Sequence, residues 1–330
     1  VMRSRAIRPA VLASTLVVGL TGLAWASPAG ATPKPPAPSG AVVTSLSTTT
    51  YGSVLTVGGT GPLAGAPLYL VSSDARGKFG CTTTLESTYM GQITCTGPES
   101  DIFNNVLTDE WPAFTTTGRP VAGRGVSDDL LGTVYRPGIG RQVTYAGHPL
   151  YLFDPPSNPF VPVGEGFLET VAPLPPWHGL WDLVSSHKGQ PAPGPATIET
   201  GTLPDGSTTV AVEEYPNAVP GGAAITAYSF SRDHYRDIDC TGACAVTWIP
   251  VLTTGPPQVA GGIAAKDVGV VRRADGTHQV TYKGKPLYLY SSEQAVFTSP
   301  SSPPSTTGTV GNGNGLRGPD GGHFSIVAPG

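Results

Sequence analysis

Charge is scarce in this sequence: Asp, Glu, Lys and Arg make up 13% of its 330 residues, against about 25% in an ordinary soluble chain. Glycine (44) and proline (35) together fill about a quarter of the positions, which excludes long helices because both residues weaken helix interiors. Long apolar runs are also missing. The longest, Val11 to Leu23, is interrupted by Ser14, Thr15, Gly19 and Gly22 and falls short of the roughly 20 apolar residues of a permanent membrane span. There is no Gly-x-Ser-x-Gly elbow, no His-Glu-x-x-His, no phosphate-cradling glycine motif and no Cys-x-x-Cys-His, so the motif-borne routes to hydrolysis, zinc proteolysis, nucleotide binding and haem attachment are not written here. The six histidines show no clustered spacing. The expectation is a protein that is not an enzyme and has neither cofactor nor metal site.

What the chain does contain is a repeat. Trp111 to Leu152 recurs as Trp248 to Leu289 at a constant offset of 137, with eighteen ungapped identities among 42 positions. They include Thr116-Thr117-Gly118, Gln142-Val143-Thr144-Tyr145 and Pro149-Leu150-Tyr151-Leu152 with their counterparts. Within the second copy, Val270 to Arg273, Gln279 to Tyr282 and Pro286 to Tyr290 are short β-rich runs separated by Asp275-Gly276 and Lys283-Gly284-Lys285. This predicts a meander, with Asp-Gly as the two-residue hairpin turn and Gly284 supplying positive φ in a slightly longer loop. In the first copy Gly138-Ile139-Gly140 replaces the first turn and Ala146-Gly147-His148 keeps the second. His148 has Lys285 at its equivalent place, which suggests an exposed turn position and not a shared base.

The expected fold is all-β: two tandem homologous modules, each a compact antiparallel sandwich or barrel-like assembly of hairpin and meander repeats. The boundaries are residues 1–31 for a signal peptide, 32–40 for a Pro-rich lead-in, 41–187 and 197–330 for the modules, and 188–196 for a Gly/Pro linker, with 298–314 as a flexible loop. The signal reading rests on Arg3, Arg5 and Arg8 ahead of the apolar run and on small-residue sites ending at Ala26 and Ala31, near which cleavage is expected. Cutting after Ala31 removes three of 19 basic residues and none of 23 acidic ones, moving the net charge from −4 to −7. Such acidity argues against nucleic acid as a partner.

Aromatic sites recur as well. Tyr69 precedes Asp74 at the spacing seen in Tyr228-Ser229-Phe230-Ser231-Arg232-Asp233 and again in Tyr288 to Glu293, whereas Tyr151-Leu152-Phe153 meets Asp154 directly. On a strand Tyr228 and Phe230 point to one side and pack, and Asp233 starts the following turn by accepting backbone N–H groups. The competing reading is a ligand site of aromatic faces and one carboxylate. Trp111 and Trp248 are core or disulfide-packing residues first and sugar-stacking residues second. In an exported chain the four cysteines are expected as two disulfides, most economically Cys81 with Cys95 and Cys240 with Cys244.

Together, Tyr228-x-Phe230-x-x-Asp233, Cys240-Thr241-Gly242-Ala243-Cys244 leading to Trp248-Ile249-Pro250, then Gln279 to Tyr282 and Gly284-Lys285-Pro286-Leu287-Tyr288 resemble a bacterial secreted-repeat family of predicted lipoproteins with a Yx(FWY)xxD motif, whose function is not established. The resemblance implies a secreted β-rich repeat protein and supplies no reaction. The functional expectation is a monomeric, non-catalytic extracellular protein without a transmembrane span, contacting an envelope component or other extracellular partner. The alternative is a redox or metal-associated protein using the Cys240/Cys244 pair.

Overall fold

The computed structural model describes residues 40–74, 78–83, 85–88, 91–97, 111–153, 162–170, 178–213, 224–234, 237–293, 310–318 and 321–330. The expected signal peptide, residues 32–39 of the expected lead-in, Asp154 and residues 298–309 of the expected loop lie outside them. The described chain is built of short strands in several sheets, and its one α-helix is the five-residue Ala243–Thr247. This is an all-β protein, as its β-branched runs and Gly/Pro punctuation require.

Each half begins with a long hairpin. Val42–Thr48 pairs antiparallel with Gly52–Val57, and Thr197–Thr202 pairs likewise with Thr208–Glu213. Both first strands also take a short parallel partner, Val121–Ala122 beside Val42 and Val43, and Gln258–Val259 beside Thr197 and Ile198. The parallel partners are themselves related by the offset of 137, so the sequence repeat is a repeat of pairing.

The meander forms in both copies. Leu131–Arg136 runs against Gly140–Tyr145, which runs against His148–Pro149; Val268–Arg272, His278–Tyr282 and Lys285–Pro286 do the same. The two turns, however, exchange the lengths expected of them. Tyr282 pairs with Lys285, leaving Lys283-Gly284 as a two-residue loop with φ of 47° and 78°, and the matching Ala146-Gly147 loop has φ of 52° and 88°. Positive φ at both residues is the hairpin geometry that matches strand twist. Asp275-Gly276 sits instead in a wider loop closed by Arg273 N to Thr277 O at 2.9 Å. There only Gly276 is at positive φ, and Asp275 Oδ1 caps the Thr277 N–H at 2.8 Å.

Buried side chains separate into an aliphatic and an aromatic core in each half. In the first, Val43, Leu55, Leu68, Val143 and Leu150 form the aliphatic cluster; in the second, Ile198, Val210, Ile249, Val280 and Leu287 do so, joined by Leu168 from the first half. The aromatic clusters gather Trp111, Trp181 and Trp248 with the motif tyrosines and the cysteines.

Candidate functional site

The second aromatic core is organised by a four-stranded sheet in the order Trp248–Pro250, Tyr288–Tyr290, Tyr228–Phe230, Phe324–Ile326. Its outer strands are three strand spacings apart, roughly 14 Å if the sheet were flat. Yet the Trp248 and Phe324 rings stack at 3.7 Å and 6°. The sheet therefore curls around its aromatic side chains. Tyr228 meets the Trp248 ring edge-on at 5.3 Å and Tyr288 meets Phe324 edge-on at 5.5 Å, while Phe230 stacks on Phe324 at 4.4 Å.

The hydroxyls of the two tyrosines are exchanged between motifs. Tyr228 donates to Glu293 Oε2 at 2.6 Å, and Tyr288 donates to Asp233 Oδ2. Each tyrosine thus binds the carboxylate that follows the other. The remaining oxygens take backbone N–H groups: Glu293 Oε1 from Gly311 at 2.6 Å, Asp233 Oδ1 from Asp239 at 2.9 Å. Gly313 N donates to the Tyr228 hydroxyl at 3.1 Å, which brings the described end of the 298–314 segment onto the core. Burial, with the facing carboxylates, raises both phenols above their ordinary range. Burial likewise raises Asp233 and Glu293, opposed by the tyrosine hydrogen bonds.

Beneath the disulfide lies a buried arginine. Arg273 donates to Gln279 Oε1 at 2.5 Å and to the Cys240 carbonyl at 2.9 Å, and Gln279 Nε2 donates to Leu287 O at 2.7 Å. This arrangement ties the meander to the cysteine loop. Cys244, in the short helix, is bonded to Cys240 just ahead of it, and the pair is almost completely buried. Thiol attack on a disulfide needs access to a sulfur, so this burial weighs against exchange chemistry.

The first half repeats the plan with other residues. Trp111 stacks on Trp181 at 3.8 Å and 5°, with Tyr69 and Tyr151 edge-on to the two rings. Tyr151 donates to Asp74 Oδ2 at 2.7 Å, and Gly80 N donates to Asp74 Oδ1 at 2.7 Å. Arg136 donates to Gln142 Oε1 at 2.8 Å, to the Tyr151 hydroxyl at 2.9 Å and to the Cys81 carbonyl. Desolvation pushes Asp74 up to about 6 despite the Tyr151 hydrogen bond and the Arg136 charge. Cys81 is bonded to Cys95. His148 is half-buried, and desolvation lowers its pKa.

The structure thus brings together every residue singled out in the second half, Tyr228, Phe230, Asp233, Cys240, Cys244, Trp248 and Tyr288, and adds Glu293, Arg273, Gln279 and Phe324. Arg136 and Arg273 had a visible signal, since they match at the 137 offset at the edge of an otherwise variable turn. Among the described residues no group of three or more His, Cys, Asp or Glu side chains converges as a metal site, and no helix is long and apolar enough to cross a membrane. Two surface concavities among the described residues are open depressions. One is lined by Asp237, Thr241, Val270 and Arg272, the other by Thr60, Leu63, Phe114 and Ile139.

Residues 269–295 match a family described as a secreted repeat of unknown function. The matched stretch holds the second meander, Tyr288 and Glu293. No curated protein and no solved structure matches the chain. A secreted-repeat description agrees with two disulfides, which persist in oxidising compartments.

Proposed function

We propose that the protein is a secreted, non-catalytic scaffold of two tandem modules that binds an envelope or other extracellular partner through its loops and exposed strand positions. One observation carries this reading: in both halves the recurring tyrosines are turned inward onto buried carboxylates, and the matching arginines onto a glutamine and a cysteine carbonyl, so they serve to close the sheets. Tyr228 and Tyr288 are fully buried. Recognition is left to what the modules display. Tyr135, 75% exposed on the Leu131–Arg136 strand, is the largest such aromatic among the described residues, and Arg272 replaces it in the second copy. A tyrosine presents apolar area at low entropic cost and suits a contact surface.

Retention of the purified secreted protein on intact bacterial envelopes and on glycan supports tests the proposal. Retention that falls at least severalfold in Tyr135→Ala, with unchanged thermal stability, supports it. Passage through every such support at micromolar protein contradicts it.

A further inference from the structure

The segment that joins the two halves is also a strand on the edge of the first. After Val184 the chain turns and comes back along the strand it has just left: Ser185 N donates to Gln190 O at 2.8 Å, Ala192 N donates to Leu183 O at 2.8 Å, and Val184 bridges Pro191 antiparallel. Ala192 is 5% exposed and lies in the aromatic cluster that holds Leu183. Farther on, the segment engages the second half. Thr254 N donates to the Gly194 carbonyl at 3.5 Å and Ala196 N donates to Thr253 Oγ1 at 3.3 Å.

The same docking sequence stands ahead of the first half. Val43 pairs with Val57 as Ile198 pairs with Val212, an offset of 155. At that offset Pro36-Ala37-Pro38 and Ala41 repeat Pro191-Ala192-Pro193 and Ala196. Ala41 N donates to Thr116 Oγ1 at 2.9 Å, as Ala196 N does to Thr253. Cleavage near Ala26 or Ala31 would leave this segment on the secreted chain.

The second half carries the edge that such a strand needs. Ile326 faces Tyr228 as Leu183 faces Tyr69, and Val327 O accepts the Val210 N–H as Val184 O accepts that of Leu55. Asn314 Oδ1 takes the Ile326 N–H at 3.1 Å, as Glu165 Oε2 takes that of Leu183 at 2.5 Å. The Ile326 carbonyl therefore stands where the Leu183 carbonyl receives Ala192. Phe324–Ile326 is the outer strand of its sheet, and among the described residues no donor meets this carbonyl. Leu183 is 1% exposed, whereas Ile326 is only half-buried. The first half offers matching ground: an open depression at Ala41, Phe114, Thr117 and Ile139, where in the second half Thr254, the counterpart of Thr117, holds the incoming Gly194.

We propose that copies of this chain associate head to tail, the Pro35 to Pro38 segment of one copy adding as a strand to the Ile326 to Ala328 edge of the next. Ala37 N donates to Ile326 O and Ala328 N to Pro35 O, as Ala192 and Ser185 donate at the internal junction. Strand addition draws its affinity from such main-chain bonds, and a heterologous contact of this kind extends into open chains. Arg317 pairs with His323 where Leu168 pairs with Leu180, and those two leucines join the aliphatic core of the second half. The contact between copies lacks that apolar hairpin. It is correspondingly weak, with association falling between about 10 μM and 1 mM.

Sedimentation velocity of the full secreted chain across that range tests the proposal. The average mass of the wild type should at least double, while Ala37→Pro, which deletes the donor of the lead-in, and Ala328→Pro, which deletes the donor of the edge, should each stay monomeric. Each variant keeps the surface that the other has lost, so an equimolar mixture should form dimers and nothing longer. A wild type that is monomeric throughout, variants that associate as the wild type does, or a mixture that stays monomeric would overturn the proposal. Should either variant show a shifted urea midpoint, a peptide of residues 32–40 decides. Added in excess it should dissociate the wild-type oligomers, and oligomers that resist it would equally contradict head-to-tail pairing.

Discussion

The Tyr228 hydroxyl donates to Glu293 across 65 residues of chain at 2.6 Å, and the Tyr288 hydroxyl returns the same bond to Asp233. The crossing makes each tyrosine strand depend on the turn that ends the other. Phenylalanine at 228 would keep the ring against Trp248 and delete only the hydroxyl. Glu293 Oε2 and the Gly313 N–H would then lose a partner in the core, so Tyr228→Phe should lower stability by about 1–3 kcal/mol. Urea unfolding checks this through a lower midpoint at unchanged slope.

Arg273 should matter more. It is buried, and its guanidinium satisfies Gln279 and the Cys240 carbonyl together, so Arg273→Ala leaves two buried acceptors unmatched and a void. A loss of about 2–5 kcal/mol is expected from the unmatched acceptors and the void together. The neighbouring Arg272 side chain is exposed, and Arg272→Ala should stay within about 0.5 kcal/mol. Comparing the two variants by thermal unfolding separates the buried network from general loss of positive charge.

How much of this was legible in the sequence depends on range. Strand identity in the meander and the pairing of cysteines could be read locally, because β-branched runs, turn glycines and close cysteine spacing act within a few residues. The turn lengths could not: a glycine marks where positive φ is cheap, but Lys283 and Ala146 adopt it too, held by the pairing on either side. Trp248 was identifiable as a core residue, yet its stacking partner Phe324 lies 76 positions on and Trp111's partner is a different residue type, Trp181. The Tyr-to-acid spacing was visible, while the exchange of partners between motifs exists only once the sheet has curled.

The two-residue turns give a prediction of either sign. Gly284 lies at φ 78° with open space around its Cβ position, so Gly284→Ala meets only backbone strain and should cost about 1 kcal/mol. Lys283 already pays that strain at φ 47°. Lys283→Asn, which suits the first position of this turn, should raise stability by a few tenths to about 1 kcal/mol, read as an increase in unfolding temperature.

The disulfides differ in the loop they close: 14 positions separate Cys81 from Cys95 and four separate Cys240 from Cys244. By chain entropy alone their removal costs about 3 and 2 kcal/mol respectively. The paired Cys→Ala variants should follow that order in urea unfolding. A larger loss for the shorter loop would mean that its main effect is on the native turn before Trp248.

The central claim is that the inward-facing tyrosines and carboxylates form bonds that close the sheet. A double-mutant cycle on Tyr228→Phe and Glu293→Gln, followed by urea unfolding, measures this bond apart from the packing of either side chain. A coupling energy of at least about 0.5–1 kcal/mol is the predicted result, whereas losses that simply add, with no coupling, would contradict it.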